Sequence, residues 1–561
     1  MKLLIEDYPY PADKVRGLLG GEEPYETDGF CRIGKVGYFY NPSIRDCVFI
    51  LPKVILDEGR NTIFREFCPV DIINIDQAFR EERLTIEQRE FIYNLSTWIY
   101  RAIYEFARIN ESMPKEQQSR ILYQRQFSAV SLNGDTSDGT LIDIILSLIK
   151  FAGDNRDFFM FIIKNIHSGY NKINWNRTIS KKTAIINDNR PLYVELVNKK
   201  KQINFDEELL IIFYSILNYV REKFGFPINI PFNYELITGT KFESLLSGLG
   251  KSRLLQIKYK YFSDKAIKLW NLCYCFFARL EQMVTNPGQS EYLFVSNFNI
   301  VFEAMIDEII SDRRIPAELR NQRDGKIVDH IYPYESLITP DDIYYIGDSK
   351  YYKIGGSVHG NSEYKQYTYA RNVIQYNLRL FLKHGEKYIP GKGYLPYRDL
   401  LTDGYNVTTN FFISSEIDKD FSYTKRGVHP CKHSPDTVSK HFNNRLFDRD
   451  TLWISHYDIN FLFVLALFVA PHQSVRDEFR NELRLIFRAH IINLLNEKYE
   501  FYRFNGFPDE IESFVDTHFR ELSGKMYHFA DTLILALEVG ADDSTVIKDK
   551  FANYFSQYSL S

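Results

Sequence analysis

The chain has 561 residues, 45% of them hydrophobic and 25% charged, which is the composition of a folded globular protein and excludes collagen-like, coiled-coil and low-complexity classes. Its 69 Lys+Arg against 73 Asp+Glu leave a formal charge of −4, so bulk positive charge is not what would hold a nucleic acid. At roughly 100–200 residues per domain, about three to five structural units are expected. Aromatics make 16% of the chain, enough for thick aromatic cores with tyrosines to spare for polar surfaces. Six cysteines without a CxxC pair fit a reduced, cytoplasmic compartment. The first residues, Met1 to Asp7, carry no apolar stretch of signal-peptide length, and the longest apolar run, Ile459 to Ala470, is too short to span a bilayer.

In chain order, Lys35–Asn41 and Cys47–Leu56 read as strands joined at Asn41-Pro42-Ser43, a hairpin and a candidate protruding element. Residues 85–110 repeat apolar side chains at helical spacing (Phe91, Leu95, Trp98, Ile99, Ala102, Ile103, Phe106). The Gly/Asp/Ser/Thr-rich segment 133–139 is a loop. Helices are expected at Leu141–Phe151, Arg156–Ile166, 206–224 and 264–284. Trp175 is expected to anchor a loop against the core.

From about residue 296 the pattern changes. A helix at Asn299–Ser311 precedes strand-like runs Lys326–Tyr332, Ile343–Tyr352 and Asn410–Ser415, with a helix at about 363–384 before the last. Strand Thr451–Asp458 runs into an apolar helix, and helices at 474–499 and 514–538 follow. The expectation is a mixed α/β, multidomain chain: a β-rich and helical region 1–130, a helical region 131–295, and a region 296–561 with a mixed sheet flanked by helices.

The chemistry concentrates in GKIVDHIYPYESLITPDDIYYIGDSKYYK, Gly325 to Lys353. Asp348 and Lys350 are two apart in an apolar strand and share a face. Asp329 ends a short apolar run, and pairing of the two strands would set it beside Asp348. Two carboxylates with a lysine alongside is the donor set that Mg²⁺-dependent phosphodiester hydrolysis uses: hard oxygens for the cation, an ammonium for the attacking water and the developing charge. Such a centre requires the two carboxylates to lie within about 6–7 Å, with Asp348 not buried away from solvent. Glu303, on the upstream helix, is a third candidate ligand. Gln366 and Tyr369, one turn apart on the downstream helix, are candidate DNA contacts near a helix N-terminus.

Other signals are weaker. Ser247-Gly248-Leu249-Gly250-Lys251-Ser252 lacks the first glycine of a phosphate loop and is not followed by a recognisable helix, so no nucleotide is expected on this chain. The spacing of His429, Cys431, His433 and His441 does not fit a structural zinc site. Cys273 and Cys275 read as core thiols.

The motif order resembles the PD-(D/E)xK nuclease superfamily. More closely, the chain resembles the LlaJI-type restriction endonucleases, relatives of the McrC nuclease subunit, through Val36–Lys53, His167–Ile179, Val328–His330 with Gly347–Lys353, and Asn444–Leu465. The resemblance implies Asp329, Asp348 and Lys350 as metal and catalytic residues of a Mg²⁺-dependent DNA endonuclease. It also implies a partner, an McrB-like AAA+ GTPase that supplies double-stranded DNA recognition and docks on the N-terminal part. Val328 stands where the superfamily has Pro, and Gln366 and Tyr369 are three rather than four apart. A non-catalytic nuclease-fold adaptor that stimulates the motor stays open as the alternative.

Overall fold

The computed structural model describes residues 1–19, 26–64, 66–112, 122–125, 128–130, 136–138, 140–155, 163–166, 172–203, 207–231, 233–285, 291–312, 314–321, 327–338, 342–354, 356, 360–383, 404–418, 420–432, 434–469, 473–529 and 531–560. It is a mixed α+β chain with several separate sheets. Among the described residues no helix is long and apolar enough to cross a membrane.

The first sheet combines β1 (Lys2–Ile5), β2 (Lys35–Asn41), β3 (Asp46–Leu51), β4 (Leu122–Arg125) and β5 (Glu291–Ser296), in the order β1-β3-β2-β5-β4. Strands β2 and β3 are therefore interior, not a protruding hairpin. Their side chains explain the placement. Val36, Tyr38, Tyr40, Cys47, Phe49 and Leu51 enter one core, while Phe39, Val48 and Ile50 enter another on the opposite face. A strand apolar on both faces cannot stand free in water. Helix α1 (Ile86–Ser112) packs its Leu95, Ile99, Ala102, Ile103 and Phe106 stripe against this sheet.

Between β4 and β5 the chain makes a long excursion. Helix α2 (Leu141–Asp154) opens with a reciprocal Thr140–Asp143 capping box. It is followed by α3 (Glu208–Phe224) and α4 (Asp264–Thr285). The helix expected at Arg156–Ile166 is not formed: Ile163–Ile166 is a strand paired with Asn198–Ile203, and residues 156–162 lie outside the described ones. Trp175 is no core anchor either. It is half exposed, edge-on to Tyr193. The phosphate-loop look-alike is a wide helical turn, Leu245–Leu249, that does open a helix, Gly250–Ile257. No strand precedes it, and Lys251 Nζ lies 3.1 Å from Glu281.

The second sheet follows α5 (Phe298–Ile310). Strand β6 (His330–Glu335) runs antiparallel to β7 (Asp342–Lys350). Helix α6 (Gly360–Lys383) leads to β8 (Thr409–Glu416), which is parallel to β7. Short strands β9 (Val428–Pro430) and β10 (Thr437–Ser439) both flank β11 (Leu452–Asn460), itself parallel to β8. The start of the run expected as a strand at Lys326–Tyr332 falls partly outside the described residues, and the strand proper begins at His330.

Helices α7 (Phe461–Val469) and α8 (Gln473–Lys498) close the unit. On α8, arginines every fourth residue cap the open end of α5. Arg480 donates to the carbonyls of Ile309 (3.1 Å) and Glu308 (2.9 Å), and Arg484 to Ile310 (2.7 Å). Cations at a helix C-terminus satisfy its orphan carbonyls and offset its dipole. Helix α5, and with it Glu303, is thereby held in place.

A third sheet ends the chain: β12 (Tyr499–Phe504), α9 (Pro508–Leu522), β13 (Met526–Phe529), β14 (Thr532–Glu538), α10 (Ser544–Phe551) and β15 (Phe555–Tyr558). The helix expected at 514–538 stops at Leu522, where Gly524 takes φ +72°. Beyond it, Leu533, Leu535 and Leu537 face one core while Ile534 and Ala536 face another. A strand buried on both sides is an unbroken apolar run, which periodicity cannot tell from a buried helix.

Candidate active site

The four residues singled out for chemistry come from three elements and meet at one place. The register of β6 and β7 pairs His330 with Gly347; carried one residue further, it sets Asp329 directly opposite Asp348. Burial and then the charges of Asp348 and Glu303 push the Asp329 carboxyl up to about 7. The two aspartates are close enough to share a hydrogen bond. Glu303 reaches the same spot from α5, and burial followed by Asp348 raises it to about 7 as well, against the pull of Asn299, Lys350 and Lys365. Lys350 Nζ lies 2.5 Å from Asp348 Oδ2 and 5.2 Å from the centre of the Phe412 ring.

Asp348 itself is 2% exposed, against the expectation of an open side chain, and meets solvent only through the partly exposed groups it touches, so a cation would have to reach it past them. The solvent-facing side of the cluster is made by Glu303, Asp329 and Lys350, all partly exposed. Three acids share a poorly solvated place with the ammoniums of Lys350 and Lys365, and an all-oxygen donor set of this kind can hold a divalent cation.

A further layer of residues positions Asp329. Arg320 donates to Asp307 at 2.6 Å and to the backbone carbonyl of Asp329 at 3.3 Å. His330 is fully buried with Nδ1 3.5 Å from Asp307. Although burial works the other way, His330 and Arg320 hold the Asp307 carboxyl at about 2. Asp307 stays ionised, one turn from Glu303, and ties the segment before β6 to α5.

Gln366 and Tyr369 face inward. They are 0% and 1% exposed, and Tyr369 joins the apolar cluster of Val328, Ile331, Ile346, Ala370 and Val373. Sequence reasoning passed over their neighbour Lys365. It is exposed on α6, its ammonium 5.4 Å from the Tyr369 ring centre, and despite the cost of burial Tyr369, Asp329 and Asp348 hold it above its ordinary value. Its signal was a cation in the first turns of the helix that follows the DxK strand.

The segment after Lys350 is stitched to the N-terminal sheet. The Tyr351 hydroxyl donates to Glu6 at 2.5 Å and accepts from the Lys53 amide at 2.9 Å, and the Ile354 amide donates to Leu56 at 2.9 Å. On the other side, Gly347 leaves no room: a Cβ there would lie 2.0 Å from the Phe411 ring. Gly347→Ala is expected to cost about 1–3 kcal/mol by overpacking. It also displaces Asp348, so thermal unfolding and Ca²⁺ binding should both report the change.

Comparison with protein-family models, with curated proteins and with solved structures found no match.

Proposed function

We propose that this chain is a Mg²⁺-dependent DNA endonuclease, the cytoplasmic cleavage subunit of a restriction, anti-phage system that works with an McrB-like AAA+ GTPase. One observation carries the reading: Glu303, Asp329, Asp348 and Lys350, separated by up to 47 residues, converge on one end of a mixed sheet. The order helix, two antiparallel strands, crossover helix, parallel strand (α5-β6-β7-α6-β8) is also what the PD-(D/E)xK reading expects.

The donor set fits Mg²⁺, because it is all carboxylate and two of its members are pushed up by burial and then by the charge of Asp348. Glu303, Asp329 and Asp348 would hold the ion, which when bound supplies an acidified water and charge neutralisation at the phosphate. Lys350, ion-paired to Asp348, would orient the attacking water and stabilise negative charge as it develops on the phosphate. Lys365 faces the same acids and draws the phosphate towards them. Asp307, His330 and Arg320 keep Asp329 in register.

Because Glu303 and Asp329 hold protons up to about pH 7, cation and proton compete. Below that pH the acids are neutral and donate poorly; above it they are free. Affinity for Ca²⁺ is therefore expected to rise by about tenfold or more from pH 6 to pH 8 and then level off. Calorimetry in buffers of different ionisation heat should show proton release at pH 6.5 and little at pH 8.5.

The deciding experiment is plasmid cleavage in Mg²⁺, by the chain alone and with a GTPase partner plus GTP, with Asp348→Ala as control. Cleavage lost in the variant supports the reading, and dependence on GTP supports the coupling. Cleavage unchanged in the variant refutes the site. GTP hydrolysis stimulated without cleavage under any condition favours the adaptor alternative.

A further inference from the structure

A second set of metal-binding side chains lies on the face of the sheet that carries Asp348 and Lys350. The registers run Lys350–Ser414–Asp458–His429 across β7, β8, β11 and β9. Directly opposed residues share a face, so Asp458 and His429 point to the same side as Lys350. Glu416 is two residues beyond Ser414 on β8 and points there too. One donor atom from each of Glu416, His429 and Asp458 lies within 4.8 Å of the other two.

We propose that Glu416, His429 and Asp458 bind a first-row divalent transition metal, of the Zn²⁺ or Mn²⁺ class, at a site distinct from the acid centre. Asp458 is two strands from Lys350, about 10 Å at the usual strand spacing. Paired catalytic metals sit about 3.5–4 Å apart, so the two sites are not one binuclear centre. The inference does not depend on the nuclease reading.

The orientation of His429 carries the argument. Its Nδ1 is 3.3 Å from the carbonyl oxygen of Pro430, and a carbonyl only accepts, so Nδ1 bears the proton. That leaves Nε2 facing Glu416 Oε2 at 2.9 Å. A neutral ring would set a lone pair against a carboxylate oxygen, which is repulsive unless a cation lies between them. Backbone anchoring of one ring nitrogen with the other presented outward is how metal-ligating histidines are held. Asp458 adds a carboxylate that is 8% exposed, anchored on a strand whose residues are all buried. Two positions earlier on the same face, His456 is 3% exposed, and neither of its ring nitrogens has a hydrogen-bond partner among the described residues. A further nitrogen donor thus stands beside the set. One or two imidazoles with two carboxylates select borderline metals over Mg²⁺. Glu416 and His429 are each more than 40% exposed at the side chain, so the set is open to solvent on one side and an ion can enter. Bonds of about 2.0–2.2 Å require only side-chain rotation from the present separations.

The competing state is an imidazolium–carboxylate ion pair without metal, and the experiment separates the two. The full chain, stripped with chelator, is dialysed against Zn²⁺ in the presence of excess Mg²⁺, and bound metal is counted. One Zn²⁺ is expected in the native chain and in D348N, and at least about tenfold weaker binding in H429A and in E416Q. Both of these exposed positions tolerate change, so folding, checked by circular dichroism, is retained even if D458N fails to fold. Co²⁺ should give a visible absorption band in D348N that H429A lacks. Absence of Zn²⁺ from the native chain, or equal binding by H429A and E416Q, overturns the proposal.

Discussion

Replacing Asp348 by Asn is expected to reduce Mg²⁺-dependent cleavage by about a thousandfold or more, several kcal/mol of lost transition-state stabilisation. The residue is the hub of its cluster. After burial, it is the largest cause of the raised carboxyl of Asp329 and likewise of Glu303. Its neutral replacement should therefore lower both neighbours towards ordinary carboxylate values while removing one cation donor. Carbon NMR of labelled Asp and Glu would follow the first effect, and Ca²⁺ calorimetry the second.

Lys350→Ala separates binding from chemistry. Removing an ammonium 2.5 Å from Asp348 leaves the acids less compensated, so Ca²⁺ affinity should hold or rise. Cleavage should nevertheless fall by about 10²–10³, the usual effect of deleting one charge-stabilising group. Ca²⁺ binding lost in parallel with cleavage in this variant would make Lys350 a structural support and not a catalytic residue.

The largest stability effect is expected far from this centre. Arg279 on α4 and Glu291 at the start of β5 are both fully buried, with Nε and Oε2 3.4 Å apart, and Glu291 also accepts the Leu141 amide at 2.7 Å. Burial holds Glu291 above the ordinary carboxylate range despite the pull of Arg279. Glu291→Ala removes the buried carboxylate beside a guanidinium that cannot give up its proton, and takes the Glu291 acceptor away from the first amide of α2. The expected cost is about 3–5 kcal/mol. Glu291→Gln keeps an acceptor for Leu141 and should cost less. Replacing Arg279 by Met in the Glu291→Ala background should recover part of the loss, because the buried charge goes too. Urea unfolding followed by tyrosine and tryptophan fluorescence measures all three. Equal stability of the native chain and Glu291→Ala would mean that water reaches Arg279.

The contrast between these two places shows what the sequence by itself determined. DxK spacing on a strand puts Asp348 and Lys350 on one face whatever surrounds them, because side-chain alternation is a local property of extended backbone. Asp329 followed because a short loop between two apolar runs makes an antiparallel pair. Glu303 followed because the apolar stripe Phe302, Met305, Ile306 and Ile309 turns its neighbour to the edge of the contact. Helical stripes such as that of α1 were equally legible, since 3.6-residue periodicity is written into one segment.

What only the tertiary structure decided was everything that depends on a second surface. The apolar strands β2, β3 and β14 are uniform in sequence because two cores cover them: β2 and β3 read as strands without showing whether they lie at an edge or in the centre, and β14 read as helix. The inward turn of Gln366 and Tyr369, and the outward turn of Lys365, depend on which side of α6 meets the sheet. The meeting of His429 with Glu416 and Asp458 depends on a register between β9 and β11 that no spacing along the chain encodes. Local geometry is carried by neighbouring residues; burial, charge balance and cross-strand partners are set by the elements that pack on top.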